Sequence, residues 1–148
     1  MHIRRVVAEH INSYARAHQA GQILEADKHL RWVCSGLGRM LGKLLESEPN
    51  CGEYRWVDDI LPQSATLDSS GVFALRGILI WGVTKGTTQQ WVEPVEVSVT
   101  LSRSGRGIAR VEANVADAEY EIGTVTYKRR DEISSWQPTR RWTFHLSG

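Results

Sequence analysis

The spacing of hydrophobic and polar positions changes once along this chain, from helical periodicity before residue 48 to alternation after about residue 72. From Ile3, apolar residues recur at Val6, Val7, Ile11, Tyr14 and Ala15, with His10 and His18 on the same stripe and Arg4, Arg5, Glu9, Asn12, Arg16 and Gln19 elsewhere. This spacing predicts an amphipathic helix stopped by Gly21. A longer helix is predicted from Ile23, Ala26, Leu30, Val33, Cys34, Leu37, Leu41, Leu44 and Leu45, ending near Pro49. Its second half carries Gly36, Gly38 and Gly42, and each glycine costs about 1 kcal/mol relative to alanine inside a helix. Close packing is the expected compensation, with Gly38 and Gly42 admitting a strand or the first helix near the backbone; a kink near Gly36 is the alternative. A phosphate-cradling loop does not fit, because no strand precedes these glycines and no Lys-Ser/Thr follows them.

Beyond residue 51 the signals are those of strands. Residues 52–57 read as a short strand ended by Asp58-Asp59, and residues 60–71, with Pro62 and a polar cluster, read as a long loop with or without one helical turn. Residues 72–83 are apolar on both faces from Ile78 to Trp81, which predicts a central strand with a helix over part of its second side. After a turn at 84–88, residues 90–102 alternate Val95, Val97, Val99 and Leu101 inward against Glu96, Ser98 and Thr100, with Pro94 marking an edge or a bulge. Residues 107–117 set Ala109, Val111, Ala113 and Val115 against Arg110, Glu112 and Asn114, and strands at 120–130 and 139–146 complete the series.

Helices followed by strands with short connections predict one α+β domain of 148 residues. In it a helical pair (1–48) packs on a curved antiparallel sheet of five to six strands (52–148), a cystatin-like or cone-like two-layer arrangement. The element order is similar to that of cystatin-like and nuclear-transport-factor-like cones, although the long helix usual between the first two strands of the latter is absent or reduced to residues 60–71. Likeness in element order implies a fold and no activity.

Composition narrows the function classes. With 41% apolar and 24% charged residues and a net charge of +1, neither disorder nor a strong nucleic-acid footprint is indicated. No apolar run approaches the ~18 residues of a membrane span, and the Met-His-Ile-Arg-Arg start lacks the apolar core of a secretory signal. A cytoplasmic protein with Cys34 and Cys51 as free thiols is expected.

Candidate chemistry falls in two places. His10, Tyr14 and His18 are spaced by four on one helix face. The two histidines are ~12 Å apart along the axis, too far to share a metal unless other elements supply ligands. The plain reading of the three is a partly buried edge of the core. Asp58-Asp59 is a weak acidic pair, but a cone mouth would gather Tyr14, His18 and Asp58, with Trp56, around a pocket. Such a pocket protein would bind a small molecule, or act as a lyase or isomerase through a His/Tyr-Asp pair. Neither Gly-x-Ser-x-Gly nor zinc-ligand spacing occurs, so no metal and no cofactor is expected.

The second place is Trp136, one of six tryptophans, in a connection flanked by Lys128-Arg129-Arg130 and Arg140-Arg141. An aromatic anchor with a charged rim suits a protein partner, while Asp131 and Glu132 dilute the patch for nucleic acid. A solvated hairpin is the plain alternative. The leading expectation is a non-catalytic protein-binding module of inhibitory, immunity or adaptor type and bacterial origin, recognising another protein through Trp136, Arg129, Arg130, Arg140 and Arg141. A homodimer packed sheet to sheet is a third reading, for which exposed Ile108 or Trp91 would be the cue.

Overall fold

The computed structural model describes residues 3–47, 54–85, 87–115 and 140–145, with side chains at 3–43, 57, 59–82 and 94–114. Helix α1, Ile3–Gln19, buries Val7, Ala8, Ile11, Tyr14 and Ala17. The stripe is therefore rotated slightly from the one read in the sequence: Val6 is exposed, and Ala8 and Ala17 take the core positions. Gly21, at φ +74°, ends the helix through paired bonds from Gly21 N to His18 O and from Gln22 N to Ala17 O, the glycine-dependent stop that satisfies two last-turn carbonyls.

Helix α2, Ile23–Ser47, returns along α1 without interruption at Gly36. It buries Ala26, Leu30, Val33, Cys34, Leu37, Met40 and Leu41, and leaves Ile23 and Leu24 exposed. The glycine that packing requires is Gly36. A Cβ there would lie 2.2 Å from Val7 Cγ2 of α1, whereas one at Gly38 or Gly42 would meet Val57 at ordinary separations of 3.5 and 3.9 Å. The expectation placed on Gly38 and Gly42 thus shifts to Gly36, because the two helices approach more closely than α2 approaches the sheet.

Among the described residues five strands follow: β1 (Tyr54–Leu67), β2 (Val72–Lys85), β3 (Thr87–Leu101), β4 (Ile108–Val115) and β5 (Arg140–His145). They pair antiparallel in chain order, β1-β2-β3-β4-β5. The class is α+β, two helices packed on an antiparallel sheet. The strand expected at 120–130 lies outside the described residues.

Residues 60–71 depart furthest from the expected structure. They do not form a long loop: β1 continues through them to Leu67, past Asp58-Asp59, and only Asp68 to Gly71 turn the chain. Pro62 suggests a loop because a proline breaks a paired strand, but β1 is an edge strand whose outer side needs no N–H donor. Register breaks between Val57 and Asp59 and between Pro62 and Ser64 absorb the irregular residues. The turn is held by Asp68, whose Oδ1 accepts from Ser70 N, Ser70 Oγ and Val72 N, and by Gly71 at φ +85°.

The β2–β3 connection is likewise tighter than residues 84–88, since Thr84 pairs with Thr88 and Lys85 with Thr87. The alternation in β3 holds, with Val95, Val97, Val99 and Leu101 buried and Glu96 exposed. In β4 the inward set is Ile108, Val111 and Ala113, while Ala109 is exposed. A register break after Thr100 pairs Leu101 with Ile108 and turns Ala109 out. Ile108, only 2% exposed, offers no cue for a dimer, and the side chain of Trp91 lies outside the described ones.

In β2, Ile78 to Trp81 are all buried. Phe73, Leu75, Leu79 and Trp81 join the helices in one core cluster, and Ile78 and Ile80 are buried outside it. Both described helices therefore share the Leu79 and Trp81 side rather than covering the second face. Asn12 fastens α1 to the sheet, its Nδ2 donating to Gly105 O in the β3–β4 turn at 2.8 Å.

Candidate functional site

A cleft of about 690 Å³ opens between the helical hairpin and β1. Helix α2 supplies one wall through Ile23, Ala26, Asp27, Leu30, Arg31 and Cys34, positions that share one face because they recur at three- and four-residue spacing. The other wall is β1 from Asp59 to Ala65, and Tyr14 and His18 of α1 border it. Eleven helical steps rise about 16 Å and six strand steps about 20 Å, so the walls define an elongated groove. Its apolar floor includes Ala26, Leu30 and Ile60, which are buried, and its mouth carries the exposed Asp27, Arg31 and Asp59.

Tyr14 is 6% exposed, and its hydroxyl donates to Ala65 O at 3.0 Å, tying α1 to β1. Burial, reinforced by the Asp27 carboxylate, raises its pKa above the usual phenol value, so the hydroxyl keeps its proton at neutral pH. His18 stacks on Tyr14 with ring centres 5.7 Å apart, and Phe73 meets the tyrosine edge-on from β2. Asp59 Oδ1 accepts from Ile60 N at 2.8 Å. Among the described residues no hydrogen bond joins Tyr14 or His18 to a carboxylate.

Of the residues expected at a pocket, Tyr14 and His18 come together at this cleft. The carboxylate on its wall is that of Asp59; Asp58 sits at the β1 register break, and its side chain lies outside the described ones. Trp136, Arg129 and Arg130 also lie outside the described residues. Arg140 and Arg141 stand on β5 opposite Val115 and Asn114, without described side chains. The sequence reading missed Asp27, Arg31 and Gln63 as lining residues. A usable signal existed for the first two, charged residues at core spacing within the α2 stripe.

Cys34 is a free thiol on the cleft floor. Burial, with the Asp59 carboxylate adding to it, pushes its pKa up to about 12, leaving a thiolate fraction of roughly one in ten thousand at pH 8. Iodoacetamide is expected to leave Cys34 unmodified over an hour at pH 8 in the native protein and to alkylate it fully in urea, as read by peptide mass mapping. Rapid native labelling would contradict this burial. Among the described residues no three His, Cys, Asp or Glu side chains are placed to hold a metal, and no helix is long and apolar enough to cross a membrane. No known family, curated protein or solved structure matches the chain.

Proposed function

We propose that the protein is a non-catalytic binding module that takes an extended segment of a partner protein into the groove between α2 and β1. The observation that carries this reading is the groove itself, about 690 Å³ in volume, walled by a helix face and a sheet edge. Its length suits five or six extended residues at about 3.3 Å each. The lining carries two carboxylates, Asp27 and Asp59, and one guanidinium, Arg31, so a segment with a basic side chain between apolar neighbours complements it best. Tyr14 supports binding rather than proton transfer, since its hydroxyl is committed to Ala65 O. A cone-like curl of the sheet around the hairpin, and an inhibitory or adaptor role in a bacterial cytoplasm, are compatible with this use.

The second reading is a small-molecule site, favoured by the volume, which falls within the range of roughly 300–1,000 Å³ usual for ligand pockets. Selection from a displayed random heptapeptide library separates the two when combined with ligand-observed NMR of a fragment library. Enriched extended peptides carrying Lys or Arg are expected, binding at least tenfold more weakly to Ser64→Trp, which places an indole at the exposed rim of the groove. Peptides that bind Ser64→Trp as tightly as the wild type would exclude the groove. Fragments displaced by that substitution, with no peptide enriched, would establish the small-molecule reading. A Trp136→Ala/Arg140→Ala/Arg141→Ala variant tests the aromatic and arginine surface around Trp136 in the same assay.

A further inference from the structure

On the outer side of the α1–α2 hairpin, His10 meets a partner that the sequence of α1 alone could not reveal. His10 Nδ1 and His29 Nδ1 lie 2.9 Å apart, and the ring centres are 5.2 Å apart. With each nitrogen about 1.1 Å from its ring centre, two imidazoles set end to end at this distance have centres about 5.1 Å apart. The rings are thus nearly collinear, each nitrogen aimed at the other. A metal would require both lone pairs to converge on a third point; collinear nitrogens instead share one proton.

Glu25 sets the direction of that bond. Its Oε1 lies 3.3 Å from His29 Nε2, so the carboxylate favours the proton on Nε2 and leaves Nδ1 bare. His10 must therefore donate from Nδ1, the less common tautomer of a free imidazole. Trp32 stacks on His10 with ring planes 10° apart. The charged or titratable groups facing the pair are Glu25 from α2 and Glu9 from α1. Burial and His29 lower the His10 pKa, with Glu9 acting in the opposite direction.

We propose that His10 and His29 form a one-proton bridge that holds the hairpin at neutral pH and is broken by a second proton, so that acidification loosens the wall of the adjoining groove. One added proton is tolerated beside Glu25, whereas a second leaves no acceptor between the rings and sets two like charges together. The bridge lies one turn from Tyr14 on α1, and on α2 it stands between Asp27 and Leu30, all three lining the groove. The regulatory half of the proposal rests on the groove being the binding site; the bridge itself does not.

Ring-nitrogen NMR of the uniformly ¹⁵N-labelled chain from pH 8 to 4.5 tests the bridge without a ligand. The expected spectrum at pH 8 shows His10 as the Nδ1–H tautomer and His29 as the Nε2–H tautomer. Two rings that show the tautomer mixture of free histidine would overturn it. Loosening is read from amide exchange corrected for intrinsic rates: protection along α1 and the first half of α2 should fall about tenfold between pH 8 and pH 4.5. His10→Gln, which keeps a side-chain N–H donor but does not titrate, should hold its protection. Unchanged protection in the wild type would overturn the regulation, and failure to bind any peptide with the bridge intact would count against the groove alone.

Discussion

Gly77→Ala is expected to destabilise the fold by about 4 kcal/mol in urea unfolding, a loss at the upper end for single substitutions. A Cβ at this position in β2 would lie 2.2 Å from Leu61 O, 3.1 Å from Leu61 C and 3.2 Å from Pro62 Cα. All three atoms are backbone of the paired edge strand, so no side-chain rotation relieves the contact and β1 must move. In an unobstructed strand the same change would gain about 0.5–1 kcal/mol, because alanine has less conformational freedom to lose. The sign therefore reports the close approach of β1 to β2 beside the register break at Pro62. Gly107→Ala is the control: its Cβ would meet Ser102 Oγ at 3.5 Å, an ordinary contact, and a change within about 1 kcal/mol is expected. A similarly small effect at Gly77 would show that the two strands do not approach as described. Since Pro62, Gln63 and Ser64 line the groove, Gly77→Ala should also weaken any peptide selected on the wild type.

Phe73→Ala is expected to cost about 3–5 kcal/mol, the range for emptying a buried aromatic position. Phe73 is fully buried and heads the largest such side chains, and its ring meets that of Tyr14 edge-on with centres 6.1 Å apart at 84°. The truncation opens a cavity between α1 and β2 and removes the support that places Tyr14 at the groove. Tyr14→Phe isolates the polar part of the same contact. It leaves the ring in place and removes only the bond to Ala65 O, for an expected loss of about 1 kcal/mol. Equal losses for the two substitutions would mean that the hydroxyl, not the packing, ties α1 to the sheet.

Much of this architecture was legible from local pattern. The helical stripes before residue 48 placed α1 and α2 with ends close to those observed, and Gly21 marked the turn between them. In β3, Val95, Val97 and Val99 alternate with polar neighbours and all lie inward, because an antiparallel strand with one buried face writes its orientation into a period of two. Each of these features depends on residues within a turn or two of one another, and each pattern has one favourable burial.

Other features were decided by partners distant in sequence. Pro62 and the polar residues after it read as a loop, yet they form strand because β1 is the sheet edge and register breaks absorb what would not pair. Ala109 and Ile108 exchanged sides through a single break after Thr100, since a one-residue slip reverses every side chain. The site divides in the same way. Tyr14 and His18 were visible on one helix face, but Asp59, Ser64 and Gln63 reached them only when β1 extended along α2, and His10 found its partner only when α2 folded back to bring His29 within 2.9 Å. The sequence by itself determined the elements and their buried faces, because period and turn chemistry act locally. Only the tertiary structure decided the groove and the imidazole pair, because the packing of α1, α2 and an edge strand brings together groups that no local pattern relates.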